Sequence, residues 1–358
     1  MTDYQTLDDF EQAARSVLPA EVFDYIAGGS GYEQALTANR SALAALAVYP
    51  RMLAGAAADS ATTMLASRAA MPVAVAPMAY QRLAHPDGEL AMAAAAAAAG
   101  VPMMCSTLSS YPIEQITATG AEVWFQIYWL REQDQLKQLI DRAEQAGCSA
   151  IAVTVDLPVM ARRLRDIRNG FALPAEVTAA NLGTGSGSRA HRSSPGRSAV
   201  AAHTSERFGP ELTWADLEWL RARTELPLVV KGILDPRDAA RAIDLGAEAV
   251  VVSNHGGRQF DAAPASISAL PAVVAEVAGR CELLLDGGIR SGTDVVRALA
   301  LGASGVLVGR PLLWALAVDG EAGVRAALSL LSVEVTEALT LAGCRTPADA
   351  TQLRTGPR

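Results

Sequence analysis

The 358-residue sequence predicts an α/β fold, a (β/α)8 TIM barrel with an N-terminal helical extension and a long loop after the fourth strand. Eight apolar runs of strand length follow one another from residue 71, and amphipathic helical segments separate them. Several segments end in Ala-Gly or Leu-Gly, where glycine suits a helix C-cap. A doubly wound open sheet is the alternative. The count of eight, and the lack of a G-x-G-x-x-G after the first run, favour the barrel.

The whole chain, 1–358, is expected to be a single domain. Residues 1–70 form the helical extension, and residues 71–345 form the barrel. An insertion, 173–213, is rich in glycine and serine and is predicted to be a mobile loop. Its role stays open between a lid and a solvated loop. The predicted strands are Pro72–Ala76, Val101–Thr107, Val123–Trp129, Ala150–Asp156, Leu228–Gly232, Ala249–His255, Glu282–Gly287 and Gly305–Gly309.

The composition argues against two classes of partner. A net charge of −8 and a pI near 5.2 are unlike those of a general nucleic-acid binder. The alanine run Ala93–Ala99 is far shorter than the roughly 20 apolar residues of a membrane-spanning helix, and the N-terminus lacks a signal-peptide pattern. Four scattered cysteines without a CxxC predict reduced thiols in the cytoplasm, and no metal site is predicted.

The stretch Val250–Asp261 combines an apolar strand with two potentially reactive side chains. His255 follows the strand and can take and return a proton near neutral pH. Arg258 follows the glycine pair Gly256-Gly257 and can bind a carboxylate through its planar fork. Together they suggest chemistry on a small organic acid. The alternative is a structural histidine and a surface arginine.

The carboxyl ends of nearly all the predicted strands carry polar residues, and these ends form the active site in (β/α)8 barrels. In strand order the residues there are Pro77, Met78 and Ala79; Ser106; Gln126 and Tyr128; Thr154, Asp156 and Arg163; Lys231; Ser253 and His255; Asp286 and Arg290; and Gly309 and Arg310. The turns Asp286–Arg290 and Gly309-Arg310 contain glycine and arginine, which predicts a phosphate site. A purely structural tight turn is the alternative reading of Asp286-Gly287-Gly288.

Five stretches are similar to one known family. They are Ala76-Pro-Met-Ala79, Thr154-Val-Asp156, Ser253-Asn-His-Gly-Gly-Arg-Gln259, Asp286-Gly-Gly-Ile-Arg290 and Val308-Gly-Arg310. Through them the sequence resembles the FMN-dependent L-2-hydroxy-acid oxidase and dehydrogenase family from Phe23 to about Gly343. Within that family it is most similar to the 4-hydroxymandelate oxidases, on stretches such as Arg162–Phe171.

The resemblance implies FMN as the cofactor and a role for each matching residue. The catalytic set would be His255 as the base, Asp156 stabilising its imidazolium, Arg163 and Arg258 on the substrate carboxylate, Tyr25 and Tyr128 as hydrogen-bonding groups, and Lys231 beside the flavin. FMN would be held by Pro77, Met78, Ala79, Ser106, Gln126, Thr154, Lys231, Ser253, Asp286, Gly287, Gly288, Arg290, Gly309 and Arg310. Two alternative mechanisms would use these residues. In one, the base removes the hydroxyl proton while a hydride is transferred; in the other, the base removes the α-proton.

The resemblance also implies an (S)-2-hydroxy acid as substrate, oxidised to the 2-oxo acid while O2 becomes hydrogen peroxide. The substrate would contact Tyr25, Ala79, Leu108, Tyr128, Met160, Arg163, His255 and Arg258. Glycolate oxidase has a bulky aromatic residue where Leu108 stands, so leucine favours an aryl substrate such as mandelate or 4-hydroxymandelate. The alternatives are a lactate- or glycolate-type oxidase, a dehydrogenase using a quinone or cytochrome, and a non-redox barrel. The family implies a homotetramer.

Overall fold

The computed structural model describes residues 4–55, 57–183, 189–191, 198–209 and 211–358. The strands are β1 (Leu46–Tyr49), β2 (Thr62–Met64), β3 (Ser67–Ala69), β4 (Val73–Val75), β5 (Met103–Ser106), β6 (Val123–Ile127), β7 (Ala150–Thr154), β8 (Leu228–Ile233), β9 (Ala249–Val252), β10 (Glu282–Leu285), β11 (Gly305–Val308) and β12 (Arg354–Pro357). Strands β4 to β11 pair in parallel in chain order and close into a barrel, with β11 beside β4. The predicted barrel is confirmed.

Helices surround the barrel and connect its strands. They are α1 (Leu7–Val17), α2 (Ala20–Ala27), α3 (Gln34–Ala45), α4 (Gly88–Ala99), α5 (Ile113–Thr117), α6 (Gln133–Gln145), α7 (Leu164–Asn169), α8 (Ala199–Arg207), α9 (Trp214–Arg223), α10 (Pro236–Asp244), α11 (Ser266–Val277), α12 (Gly292–Ala300) and α13 (Arg310–Ala342). Within the described ranges, no helix is both long and apolar enough to cross a membrane.

The barrel strands are mostly apolar because both of their faces are covered. In β9, Val250 and Val252 pack in the outer cluster beneath the helices, whereas Val251 packs inside the barrel with Trp124 and Met104. The parallel register places Thr154 of β7 opposite Lys231 of β8. The polar ends of the strands therefore lie along one rim.

The opposite rim is closed by the antiparallel hairpin β2–β3. Met64 of this hairpin belongs to the cluster inside the barrel. The backbone N–H of Leu65 donates to Glu282 Oε2 at the start of β10, at 3.0 Å. With this rim covered by the hairpin, a substrate would reach the barrel from the rim that carries the polar residues.

The N-terminal extension places helices against that polar rim. Thr6 and Asp9 form a capping box at the start of α1. The extension contains α1, α2 and α3, and three strands follow within residues 46–69, where the sequence analysis expected further helical structure. Strand β1 pairs antiparallel with β12 at the C-terminus, a long-range contact that local sequence does not encode.

The insertion at 173–213, predicted to be a mobile loop, contains regular structure in its described part. Helix α8 begins after Ser198, whose side chain accepts a hydrogen bond from the N–H of Ala201 at 3.3 Å. Residues 184–188, 192–197 and 210 of this insertion lie outside the described residues. The predicted mobile loop therefore stays untested at those residues, while α8 itself packs against the barrel rim.

A buried carboxylate connects the loops that follow the first two barrel strands. Glu89 Oε1 accepts hydrogen bonds from the N–H groups of Gln81, at 3.0 Å, and Ser110, at 2.9 Å. The N–H of Tyr80 also donates to the carbonyl of Leu108 at 3.0 Å. Burial raises the pKa of Glu89 to about 7, against the opposing effect of these N–H groups. Sequence reasoning missed this link, which fixes the positions of Ala79 and Leu108.

Candidate active site

A cavity opens at the polar rim and contains about 1150 Å³ of empty space, part of it open to solvent. The predicted site residues that line it are Tyr25, Pro77, Met78, Ala79, Leu108, Tyr128, Thr154, Met160, Arg163, Lys231, His255, Arg258, Asp286, Gly287, Gly288, Arg290, Gly309 and Arg310. Four others, Ser106, Gln126, Asp156 and Ser253, lie behind this lining.

His255 and Asp156 form a hydrogen-bonded dyad. The distance from His255 Nδ1 to Asp156 Oδ1 is 2.9 Å. Because the carboxylate accepts a hydrogen bond from Nδ1–H, the neutral imidazole keeps Nε2 free to act as a base. Burial alone would raise the pKa of Asp156, but the nearby His255 and Lys231 lower it overall. Asp156 is therefore ionised at neutral pH and stabilises a protonated His255.

The position of the dyad depends on a strained turn and a nearby glycine. His255 has φ +58°, a left-handed conformation that is uncommon for a residue with a side chain. Asn254 and Asn39 of α3 exchange amide hydrogen bonds at 2.8 and 2.9 Å, which holds the turn in place. A Cβ atom on Gly232 would lie 2.6 Å from Asp156 Cγ, so only glycine leaves room for the carboxylate.

Two guanidinium groups lie beside the dyad. Arg163 and Arg258 both face the ring of Tyr25, at 5.8 and 5.4 Å from its centroid. Burial and the charge of Arg163 together lower the pKa of Arg258 to about 10. Arg163 Nε is buried without a hydrogen-bond partner among the described residues. Two buried cations so close together favour an anion between them, and Asp166 is the nearby acidic group of the protein.

Part of the arginine cluster also binds the end of helix α2. Arg258 Nη1 donates to the carbonyls of Tyr25 and Gly28, at 2.9 and 2.7 Å. Arg310 donates through Nε to Ile26 and through Nη2 to Gly28, both at 3.1 Å. Carbonyls at a helix C-terminus carry partial negative charge and attract cations. The two arginines thus anchor the N-terminal extension over the cavity, and their predicted ligand contacts remain predictions.

Lys231 rises from the barrel into the cavity wall. Its Nζ lies 2.9 Å from Asp286 Oδ2 and 3.0 Å from Ser253 Oγ. Burial would lower the pKa of Lys231, but Asp286 and Asp156 raise it overall. The ammonium group is therefore a permanent buried charge. Asp286 Oδ1 has no hydrogen-bond partner in the described chain and can accept one from a ligand hydroxyl.

The glycine turns after β10 and β11 fit a phosphate group. Gly287 and Gly288 have φ values of +99° and +90°, and the N–H groups of Gly287, Gly288 and Gly309 donate to no acceptor within the described residues. Arg290 lines the cavity beside them, with its guanidinium 4.9 Å from the Trp314 ring centroid. Burial lowers the pKa of Arg290 to about 10. Free N–H groups beside a buried cation are suited to the phosphate end of FMN.

A row of side chains behind the cavity could bind a polar ring edge. Ser106 Oγ donates to Gln126 Oε1 at 3.1 Å, and Gln126 Nε2 donates to Thr154 Oγ1 at 3.0 Å. The row orders the donors and acceptors along three neighbouring strand ends. Thr154 lines the cavity, whereas Ser106 and Gln126 lie behind it and connect to the cavity through Thr154. The cavity residues thus fit FMN, with polar contacts for the ring at one end and for the phosphate at the other.

Sequence reasoning missed several residues of this site. Gln259 is buried and donates to the carbonyls of Asp156 and Val159, at 2.8 and 2.9 Å, which ties the loop after β7 to the His255 turn. Gln259 is the last residue of the family-specific stretch Ser253–Gln259, and this position could have identified it as a site residue. Val200, Thr204 and Phe208 line the cavity from the insertion. Their spacing of four residues, typical of one helix face, could have identified them.

Comparisons with known proteins identify the family of this chain. A sequence profile described as FMN-dependent dehydrogenase matches residues 14–355. The chain is 56% identical over 355 residues to a 4-hydroxymandelate oxidase of Amycolatopsis orientalis, covering 98% of each, and 47% identical to an L-lactate oxidase of Nostoc sp., covering 94% of each. It superposes with a TM-score of 0.97 on a crystal structure of mandelate oxidase with (S)-4-hydroxymandelic acid, at 55% identity and 99% coverage of both chains. The resemblance seen in the sequence is confirmed, and the chain belongs to the FMN-dependent dehydrogenase family.

Proposed function

We propose that this protein oxidises an (S)-2-hydroxy acid with an aryl side chain, mandelate or 4-hydroxymandelate, to the 2-oxo acid. The observation that carries the proposal is the His255–Asp156 dyad beside two buried guanidinium groups in one cavity. A histidine base and two neighbouring guanidinium groups suit a substrate with both a hydroxyl and a carboxylate. The names of the similar 4-hydroxymandelate oxidase and mandelate oxidase support the aryl side chain.

Each of these residues has a separate role in the reaction. Arg163 and Arg258 hold the carboxylate, which places the hydroxyl carbon near His255. His255 Nε2 takes a proton from the substrate, and Asp156 stabilises the resulting imidazolium. FMN, when bound, supplies the two-electron acceptor. In total the substrate loses two electrons and two protons, and O2 gains both to become hydrogen peroxide.

The far end of the cavity matches an aryl group better than a methyl group or a hydrogen atom. Its lining combines Leu108, Met160, Val200 and Phe208, all apolar and without charge. Met160 is unbranched and adapts its shape to a bound ring. Lactate or glycolate would leave this apolar surface in contact with water, so these acids are the second candidates.

Rates of peroxide formation in air with mandelate, 4-hydroxymandelate, lactate and glycolate test the proposal. We expect the two aryl acids to have the highest kcat/KM and to yield one peroxide per 2-oxo acid. A clear preference for lactate overturns the aryl substrate. Turnover with a quinone or cytochrome and without peroxide identifies a dehydrogenase instead.

We further propose that the chain forms a homotetramer in the cytoplasm. Met52, Leu53 and Leu341 are exposed apolar residues, and the N–H of Arg51 donates to the carbonyl of Ala342 at 2.9 Å, which brings the two segments together. An exposed apolar patch of this kind is suited to self-association. The four cysteines are free, in keeping with a reducing compartment. Light scattering that gives the 37.3 kDa mass of one chain contradicts the tetramer, and activity in secreted fractions contradicts the location.

A further inference from the structure

Helix α8 of the insertion forms one wall of the cavity. Val200, Thr204 and Phe208 are four residues apart, lie on one face, and contact the cavity. Phe208 stacks on Tyr128 with ring centroids 4.6 Å apart. Thr204 Oγ1 lies 3.7 Å from Met160 Sδ. These contacts place the helix face at the apolar end of the cavity, away from the phosphate turns.

Thr204 brings a hydroxyl group to this otherwise apolar wall. Its side chain is buried, with 4% of the residue exposed. The hydroxyl donates to the carbonyl of Val200, one turn earlier, at 2.8 Å. A hydroxyl group has one proton and two acceptor lone pairs. With its proton in this hydrogen bond, Thr204 Oγ1 keeps its lone pairs and can accept a hydrogen bond from a ligand.

We propose that Thr204 is a specificity-determining residue that accepts a hydrogen bond from a donor group in the 4-position of the substrate's aryl ring. The inference rests on the proposed function and deepens it, because it selects 4-hydroxymandelate over mandelate. A buried phenol without an acceptor would lose its hydrogen bonds to water. The thioether of Met160 is a weak acceptor, and the neighbouring Val200 and Phe208 side chains have none.

The Thr204→Val variant tests the proposal, since valine keeps the shape and removes the hydroxyl. The readout is the ratio of kcat/KM for 4-hydroxymandelate to kcat/KM for mandelate. We expect this ratio to fall about 5- to 10-fold, the value of one neutral hydrogen bond. Thr204→Ser keeps the acceptor and should restore most of the ratio. Dissociation constants of the two 2-oxo acid products, measured by calorimetry on the FMN-loaded protein, should change in the same proportion.

Ser198→Ala is the matched control. It removes the side-chain cap of α8, which loosens the helix, but leaves the Thr204 hydroxyl in place. We expect it to change kcat/KM for 4-hydroxymandelate and for mandelate by the same factor, so that their ratio stays constant. If Thr204→Val also scales both alike, or changes neither, the inference is wrong.

A comparison on the unmodified enzyme covers the case in which Thr204→Val does not fold. Fluorine in the 4-position cannot donate, so 4-fluoromandelate should have a lower kcat/KM than 4-hydroxymandelate. Equal values for these two acids overturn the role of Thr204 while leaving the proposed function intact. Failure to oxidise any mandelate overturns the proposed function itself.

Discussion

Replacing His255 by alanine is expected to lower kcat at least about 100-fold, the low end of the contribution of a general base. The reason is the dyad geometry: Asp156 holds Nδ1 at 2.9 Å and leaves Nε2 as the one ring nitrogen available to the substrate. Alanine removes the base while the carboxylate ligands Arg163 and Arg258 remain. Rapid-mixing measurement of the flavin reduction rate, with substrate in excess, reports this step without interference from O2.

His191→Ala is the matched control for this variant. His191 belongs to the insertion, binds the carbonyl of Leu173 at 3.0 Å and does not line the central cavity. We expect its flavin reduction rate to stay close to that of the unmodified protein. A His255→Ala variant that keeps most of its reduction rate would remove this residue from the mechanism.

Replacing Arg163 by methionine is expected to lower kcat/KM by about 30- to 3,000-fold. Removing one partner of a buried charge pair costs roughly 2–5 kcal/mol, and each 1.4 kcal/mol corresponds to a factor of ten. Arg163 is buried, and its Nε has no hydrogen-bond partner among the described residues, so a substrate carboxylate would add a counter-charge to that of Asp166. Steady-state kinetics with mandelate, together with the dissociation constant of phenylglyoxylate, measure the loss.

The preceding residue provides the control. Arg162 is exposed and its replacement by methionine removes the same charge from the same loop. We expect Arg162→Met to change kcat/KM by less than about threefold, as for an exposed charge. Equal losses in the two variants would show that Arg163 acts through the general electrostatic field and does not contact the carboxylate.

The eight barrel strands could be predicted because parallel strands buried on both faces have continuous apolar sequences. The residues at which these strands end were predicted less accurately. The sixth strand was expected over Ala249–His255, and its ladder ends at Val252. Ser253 to His255 belong instead to a turn fixed by side-chain bonds, among them the N–H of His255 to Ser253 Oγ at 3.0 Å. Local sequence does not distinguish such a turn from a continued strand.

The site residues that could be predicted are those at strand ends, where topology alone brings them together. Contacts between distant segments could not be predicted from pattern. Arg258 and Arg310 bind carbonyls of α2 more than 200 residues away in sequence, and Asn39 pairs with Asn254. Helix α8 was missed because a glycine- and serine-rich stretch precedes it, although its Ala-Val-Ala-Ala start favours a helix.

Anaerobic mixing of the FMN-loaded protein with single enantiomers of mandelate, followed through the flavin absorbance, tests the central claim most directly. The claim is that His255, Arg163 and Arg258 present one face of the bound flavin with a hydroxy acid in a fixed orientation. We expect (S)-mandelate to bleach the flavin rapidly and (R)-mandelate to leave it oxidised. A flavin that no 2-hydroxy acid reduces, or that both enantiomers reduce equally fast, would contradict the account.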